Sequence, residues 1–356
     1  MKQVAVVILN WNGQAMLERF LPKVVKYSHQ QRFAFFGTEF ESRVVVADNG
    51  STDGSVELLQ REFPEVELLQ FDHNYGFAEG YNRALCEVEA DYYVLLNSDV
   101  ECTPHWLEPA MRMMEPNPDI AVVQPKLLMH DRHDTFEYSG GAGGFIDSYG
   151  YPFCRGRLFS TLEQDHGQYD NDCELFWASG AAMIVRAAVW HEVGGLDSDF
   201  FAHMEEIDFC WRVHLKGYRV SYCAGAKLYH VGGGTLPKSN PLKTKLNFRN
   251  NLSMLYKNLP EGRRERVIGI RMVLDWLAAV KFLAEGHLGE FKAVKEAHRE
   301  FRAWKPQLDR KRALMDIKPV AKIYQGKLLI EYYLLHRHTY TDLRGTYSKA
   351  GSKKSR

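Results

Sequence analysis

The 356-residue sequence has no apolar run of bilayer length. Its longest apolar stretch, residues 267–284, is interrupted by Arg271, Asp275 and Lys281, whereas crossing a bilayer takes about 20 nearly uncharged residues. A spanning helix is therefore not expected. An export signal is missing as well: the apolar residues 4–9 are closed by Asn10 and Asn12, which leaves them too short for the apolar centre of a signal peptide. The six cysteines (Cys86, Cys102, Cys154, Cys173, Cys210, Cys223) contain no C-x-x-C pair. A chain of this length needs no disulfides to stabilise it, so free thiols in a reducing cytosol are expected. Glycine-lined phosphate cradles are absent too. No G-x-G-x-x-G follows the first apolar run and no G-x-x-x-x-G-K-[ST] occurs, which excludes a dinucleotide fingerprint and a P-loop.

What is present is ordinary globular material, 45% hydrophobic and 25% charged, enough for one large domain with an appendage. The formal net charge of zero hides two opposed parts. Residues 1–244 hold 20 basic against 34 acidic side chains, and residues 245–356 hold 25 against 11. The basic tail suits either an anionic membrane surface or pairing with the acidic body. No aromatic-basic module of the nucleic-acid-binding kinds is visible, so a nucleic-acid partner is not expected.

Short β-branched apolar runs at residues 4–9 and 43–47 end in polar turn formers, the pattern of strands buried on both faces of a parallel sheet. Residues 66–71 and 92–96 read as further strands and residues 56–63 and 77–88 as helices between them, so an open α/β architecture is expected. Thr103-Pro104 looks like the cap and first turn of another helix. Residues 129–174, rich in Gly, Asp, Tyr and His, read as loops and short strands over a site. Beyond them, residues 181–185 read as a strand, 205–216 as a helix stopped by Gly217, and 219–222 as a strand. From Leu242 onward the reading is helical, with breaks at Pro260, near Gly286, and at Pro306 and Pro319. The expected division is a catalytic domain over residues 1–240, a helical C-terminal extension over 241–347, and a disordered tail over 348–356.

In open α/β sheets ligands bind beyond the carboxyl ends of the strands. Asn10-Trp11-Asn12, Asp48-Asn49, Asp72-His73-Asn74 and Asn97-Ser98-Asp99 stand at those ends. Without a phosphate cradle, a diphosphate calls for a divalent cation, and Asp99 offers the hard oxygen ligand that Mg²⁺ or Mn²⁺ prefers. The ordinary alternative for such an acid is a cap or turn. Met204-Glu205-Glu206-Ile207-Asp208 crowds three carboxylates into a helix start, where the macrodipole favours each by about 0.3–1 kcal/mol. Crowding also raises a carboxyl pKa toward the range useful to a general base. His230 is readable either as a metal ligand or as a hydrogen-bonded histidine.

In combination these segments resemble the family 2 glycosyltransferases of GT-A fold, closest to the bacterial branch of rhamnosyl- and galactofuranosyltransferases. The resemblance covers about residues 3–260. It rests, in order, on Val6-Val7-Ile8-Leu9-Asn10-Trp11-Asn12-Gly13, on Val46-Ala47-Asp48-Asn49-Gly50-Ser51-Thr52-Asp53-Gly54-Ser55, and on Asn74-Tyr75-Gly76-Phe77-Ala78 with Gly80 and Asn82. Leu95-Leu96-Asn97-Ser98-Asp99, Ser179-Gly180-Ala181-Ala182-Met183 and Glu205-Glu206-Ile207-Asp208 follow. It implies an α/β fold with a mainly parallel central sheet flanked by helices. It further implies that Asp48 contacts the nucleobase and that Asn10, Asn74, Gly76 and Asn82 line the nucleotide-sugar pocket. Asp99 corresponds to the last acid of a D-x-D metal motif whose first acid is replaced by Asn97, which then points at the sugar. His230 completes the coordination of Mn²⁺ or Mg²⁺. Glu206, or Glu205 beside it, takes the place of the catalytic base, where aspartate is more usual. Gly180, Asp208, Trp211 and Arg212 are implied as acceptor-side or supporting residues, with Trp211 equally readable as a core aromatic.

The implied reaction is an inverting transfer from a UDP-, dTDP- or GDP-linked sugar to a hydroxyl of a glycan or lipid-linked glycan, in the making of a cell-surface polysaccharide. A sugar-nucleotide pyrophosphorylase is the rival enzyme, but Asn10-Trp11-Asn12-Gly13 is not its glycine-rich basic loop. A degenerate carbohydrate- or nucleotide-binding protein is the other rival, and retention of Asp99, Glu206 and His230 together argues against it. The apolar residues Trp276, Leu277, Val280, Phe282 and Leu283, set among Lys and Arg, suit a helix lying on the cytoplasmic leaflet as a peripheral membrane contact. Packing on the catalytic body or a homo-oligomer contact is the alternative.

Overall fold

The computed structural model describes residues 1–232 and 240–349. Its strands are β1 (Lys2–Asn10), β2 (Gln31–Phe35), β3 (Thr38–Asp48), β4 (Glu67–Gln70), β5 (Tyr92–Leu96), β6 (Val100–Cys102), β7 (Ile120–Met129), β8 (Gly144–Asp147), β9 (Pro152–Cys154), β10 (Arg157–Leu158), β11 (Thr161–Leu162), β12 (Cys173–Leu175), β13 (Ala182–Arg186), β14 (Arg219–His230) and β15 (Ile323–Tyr324). The helices are α1 (Gln14–Ser28), α2 (Ser55–Glu62), α3 (Gly76–Glu87), α4 (Leu107–Met114), α5 (Ala187–Val193), α6 (Glu205–Leu215), α7 (Pro241–Asn258), α8 (Glu261–Ala284), α9 (Leu288–Ala313) and α10 (Leu328–Tyr333).

The central sheet runs β12-β14-β7-β13-β5-β1-β3-β2, with β4 also on β3 and β6 also on β14. Strands β4, β3, β1 and β5 are parallel, joined through helices, and their register sets Asn10 beside Asp48. Alternate residues of β1 enter opposite cores. Val4, Val6 and Ile8 meet Leu17, Leu21 and Leu58 on one face, while Ala5 and Val7 meet Tyr81 and Leu85 on the other. Each such Val or Leu removed from water contributes about 1.5–3 kcal/mol, which is why the apolar runs carry no polar residue until the strand end.

The sheet is mixed rather than mainly parallel. β13 lies antiparallel between β5 and β7. The chain reaches it from β7 through the small sheet β11-β10-β9-β8-β15 instead of a helical crossover, and a parallel return needs such a crossover. Thr103-Pro104 does not start a helix: the Thr103 hydroxyl donates to the Lys227 carbonyl, and α4 begins at Leu107. Pro306 does not break the chain either, since it lies inside α9. After Ala313 the expected helical reading gives way. There β15 pairs in parallel with β8, so the end of the chain returns to the small sheet. Of the tail expected at residues 348–356, residues 350–356 lie outside the described residues.

Candidate active site

Four strand ends meet along one edge. The Asn10 amide donates to Asp48 Oδ2 (3.0 Å) and Ser51 Oγ (3.3 Å), and Asp48 Oδ1 accepts from the Ser51 N–H at 2.9 Å. Both side chains are buried, and Asn10 Oδ1 has no partner. Asn49, named in the sequence only as part of a strand end and given no role, ties in the next strand end. Its Nδ2 donates to Asn74 Oδ1 (3.0 Å) and the Gly76 carbonyl (3.1 Å), and its Oδ1 accepts from the Tyr75 N–H. Asn74 Oδ1 also accepts from the Gly76 N–H. Gly76 opens α3 at φ +79°, where a Cβ would stand 2.4 Å from the Phe201 ring, so both conformation and space demand glycine. Asn82 does not join this edge. Its amide is consumed by Leu196, donating to the carbonyl at 2.8 Å and accepting from the N–H at 2.9 Å, which pins the loop ahead of α6.

Beyond β5, Asp99 Oδ1 and His230 Nε2 stand 3.0 Å apart, with Asn97 Nδ2 3.5 Å from the same nitrogen. The other ring nitrogen of His230 faces Glu137 at 3.3 Å. Glu137 is buried, and its other oxygen accepts from the Ser139 N–H at 2.7 Å. It lies in the irregular segment after β7, where no sequence signal marked it. Burial opposes charge on His230, but Glu137 and Asp99 on its two sides overcome it and push the ring pKa up to about 10. Burial likewise opposes the Asp99 charge, and the His230 hydrogen bond outweighs it, holding the carboxyl below its ordinary value. Among the described residues no group of three or more His, Cys, Asp or Glu side chains forms a metal cage by itself. A carboxylate beside a histidine whose far nitrogen is backed by a second carboxylate is nevertheless a donor pair of the metal-binding kind.

The third part is the start of α6. Phe201, His203 and Met204 all have positive φ (63°, 70° and 73°), a conformation costing bulky residues of order 1–3 kcal/mol each and commonest at functional sites. Glu205 and Glu206 follow directly. Each has one carboxyl oxygen without a partner. Burial, then the neighbouring Glu206 charge, raises the Glu205 pKa well above its usual value, and burial pushes Glu206 up to about 7. Glu205 is enclosed, whereas Glu206 keeps a partly exposed surface. Gly180 lies beside it: a Cβ there would come within 3.9 Å of Glu206 Cβ and 3.1 Å of the Phe77 ring.

The remaining acceptor-side residues are in the interior. Asp208 is fully buried and accepts from Arg212 (2.8 Å), Lys257 (2.8 Å) and Asn258 (2.7 Å). Arg212 spends its other donors on the Val193 and Gly195 carbonyls. Trp211 packs edge-on to Phe176, the core aromatic reading. Asp208 and Arg212 hold α6 in place with their hydrogen bonds, while the buried Trp211 Nε1 has no partner among the described residues.

Residues 5–147 match the profile of "Glycosyl transferase family 2". The chain is 25% identical over 242 residues to an N-acetylglucosaminyl-diphospho-decaprenol L-rhamnosyltransferase of Mycobacterium tuberculosis, covering 63% of this chain and 75% of that protein. Among solved structures it resembles S. aureus TarS 1-349 in complex with UDP-GlcNAc (TM-score 0.55, 17% identity, 87% of this chain and 84% of that one). It also resembles GalNAc-T7 with UDP, GalNAc and Mn²⁺ (TM-score 0.54, 13% identity, 91% and 60%). With the strand-end edge, the mixed sheet and these likenesses together, the chain has the GT-A fold and is similar, over residues 5–147, to the family 2 glycosyltransferases.

Proposed function

We propose that the chain moves a sugar from a nucleoside-diphosphate donor to a hydroxyl of a lipid-linked or glycan acceptor, with inversion, in building a cell-surface polysaccharide. The observation that carries this reading is that two groups flank the turn into β13, where Gly180 lies beside Glu206 and the Ala181 carbonyl accepts from the N–H of Asn97, next to His230. One is the Asp99–His230 pair backed by Glu137. The other is Glu206, whose carboxyl has an unpartnered oxygen and a pKa near 7. Glu206 takes the proton from the acceptor hydroxyl as that oxygen attacks the anomeric carbon, and the bond to the diphosphate breaks on the opposite face. A base with a pKa near the working pH contributes about 10²–10⁴-fold. Glu205, enclosed and the harder of the two to ionise, keeps a neighbouring proton instead.

Asp99 and His230 would hold a Mn²⁺ or Mg²⁺ ion, and Glu137 would fix the tautomer and orientation of the His230 ring. Such an ion, when bound, offsets the charge that grows on the departing diphosphate. The GalNAc-T7 neighbour was crystallised with Mn²⁺, which supports this reading. Asn10 and Asp48, at the β1 and β3 ends, face the nucleoside, and Asn97, beside Asp99, faces the sugar. Gly180 leaves room next to Glu206 for the incoming hydroxyl.

The acceptor class is supported by the decaprenol-linked acceptor in the name of the mycobacterial relative and by an apolar stripe on α8. Among the described residues no helix is long and apolar enough to cross a membrane. The stripe instead suits a peripheral contact with anionic lipid.

The deciding experiment measures release of nucleoside diphosphate from UDP-, dTDP- and GDP-sugars with Mn²⁺ or Mg²⁺, for wild type, Asp99→Ala and Glu206→Gln. One donor should turn over with metal, and each variant should lose at least about 100-fold. Turnover that survives Glu206→Gln at the wild-type rate removes Glu206 as base.

A further inference from the structure

The segment between the donor edge and Glu206 is an arch, residues 200–203, and its shape is held from outside the catalytic sheet. Asn250 lies in the middle of α7 and is fully buried. Its amide nitrogen reaches three carbonyls of the arch: Phe200 (3.0 Å), Ala202 (2.9 Å) and His203 (2.8 Å). Its amide oxygen accepts from Arg249 Nε at 2.9 Å, which fixes which way the amide faces. Arg249 is itself held by Glu300 of α9 (2.9 Å) and lies over the Trp304 ring.

The fourth carbonyl of the arch points the other way. Phe201 O accepts from the Phe77 and Ala78 N–H groups (2.8 and 3.2 Å), two of the otherwise unpaired donors at the start of α3. The Phe201 ring covers Gly76. One side of the arch thus touches the loop that ends the donor edge, and its far end launches Glu205 and Glu206.

We propose that Asn250 is a positioning residue for the transfer: by fixing the arch from α7, it sets the loop at Asn74–Gly76 and the carboxylate of Glu206 at the distance and angle the displacement needs. The inference rests on the transferase reading above. Phe200 O also accepts from the Ala202 N–H and from Arg249, so the carbonyls that depend on Asn250 are those of Ala202 and His203, and a buried carbonyl left unpaired costs about 1–3 kcal/mol. An error of about 1 Å between reacting groups costs on the order of 100-fold in rate.

The test uses the full chain, with wild type beside Asn250→Ala, Asn250→Ser and the control Asn247→Ala, whose amide bonds only to the Lys243 carbonyl within the same helix. Steady-state transfer on the active donor is read as kcat and donor KM across pH, with thermal unfolding to count folded protein. Asn250→Ala should lower kcat by at least about tenfold per folded molecule while donor KM changes less. Its rate should also begin to rise at lower pH than that of wild type, because a loosened arch admits water to Glu206. Asn250→Ser, which keeps one donor, should recover part of the rate and serves alone if the alanine variant does not fold. Asn247→Ala should match wild type. A folded Asn250 variant with wild-type kcat and an unmoved pH profile overturns the proposal, as does a loss accounted for by unfolded protein. A wild-type chain inactive on every donor overturns the transferase reading and this inference with it, which keeps the two failures apart.

Discussion

At the residue scale, Glu206 shows a conflict between folding and chemistry. Burial lifts its pKa from 4.5 to about 7, so the folded protein favours the protonated form while the proposed role as base needs the ionised one. Two consequences have opposite sign. Activity should rise about tenfold per pH unit below pH 7 and flatten above it, as the base ionises. Stability should fall over the same rise, because a group with a raised folded pKa gives up protons less readily folded than unfolded between pH 4.5 and 7. Glu206→Gln removes the ionisation. The variant should be nearly inactive yet melt higher than wild type at pH 8, with the gap closing as pH falls toward 4.5. Paired pH series of kcat and melting temperature check this, and a variant less stable than wild type at pH 8 would mean the carboxylate is better solvated than its surroundings indicate.

At the element scale, the union of α6 and α7 is ionic. Lys257 on α7 is buried between Asp208 of α6 and Asp197 of the preceding loop, and Lys311 of α9 reaches Asp197 and Asp199. Burial opposes the Asp197 charge, and the two lysines hold its carboxyl well below the ordinary range despite it. Lys257→Met takes one of two cations from each of two enclosed carboxylates, leaving Asp208 to Arg212 and Asp197 to Lys311, and should cost up to about 3–5 kcal/mol, whereas Lys311→Met, at a more open site, should cost less. Urea midpoints of the two variants decide it, and equal shifts would show that water reaches Asp208.

The same pairing explains what the sequence disclosed. The parallel strands and their polar ends were legible because an apolar run broken by Asn or Asp is a local pattern, as at Asn97-Ser98-Asp99, whereas Glu206 stood out through three carboxylates crowded at a helix start and His230 stayed open between a ligand and a hydrogen-bonded histidine. Glu137 was not legible, since its partner His230 is far along the chain. Asn82 sits away from the strand-end edge, and Asp208 and Arg212 take the supporting rather than the acceptor-side alternative, for a related reason. A polar residue beside a motif can face inward to a partner supplied by a remote element, and only the packing of Leu196 and Lys257 reveals it. For Asn250 there was a faint signal: Asn250-Asn251 places two weak helix formers side by side within α7, which propensity alone does not favour.

At the scale of the whole molecule, the opposed charges of body and tail divide into two uses. Some tail cations are spent inward, on Asp197, Asp199 and Asp208, so the acidic body and basic tail are partly one ion-paired unit. Others remain outside. α8 buries Val267, Ile268, Arg271, Asp275 and Ala279 and turns the opposite face to solvent, with Val273 62%, Leu277 63% and Val280 57% exposed, and Trp276 and Leu283 along the same stripe. Exposed Arg263, Arg266 and Lys281 lie on the same helix and Lys292 on α9, with Lys281 3.5 Å from Glu285. An exposed apolar stripe on a helix that also carries exposed cations suits the interface of an anionic bilayer, where each basic residue near the surface adds about 1 kcal/mol and added salt weakens the attraction. The protein should float with vesicles rich in anionic phospholipid at low salt and release as salt rises, and Leu277→Glu should abolish flotation without lowering transfer to a water-soluble acceptor. A contact between copies of the chain would instead appear as a concentration-dependent dimer that Leu277→Glu dissociates in the absence of lipid. Flotation that survives Leu277→Glu would move the membrane contact away from α8, and a chain that ignores anionic vesicles at low salt would leave the stripe without a lipid role.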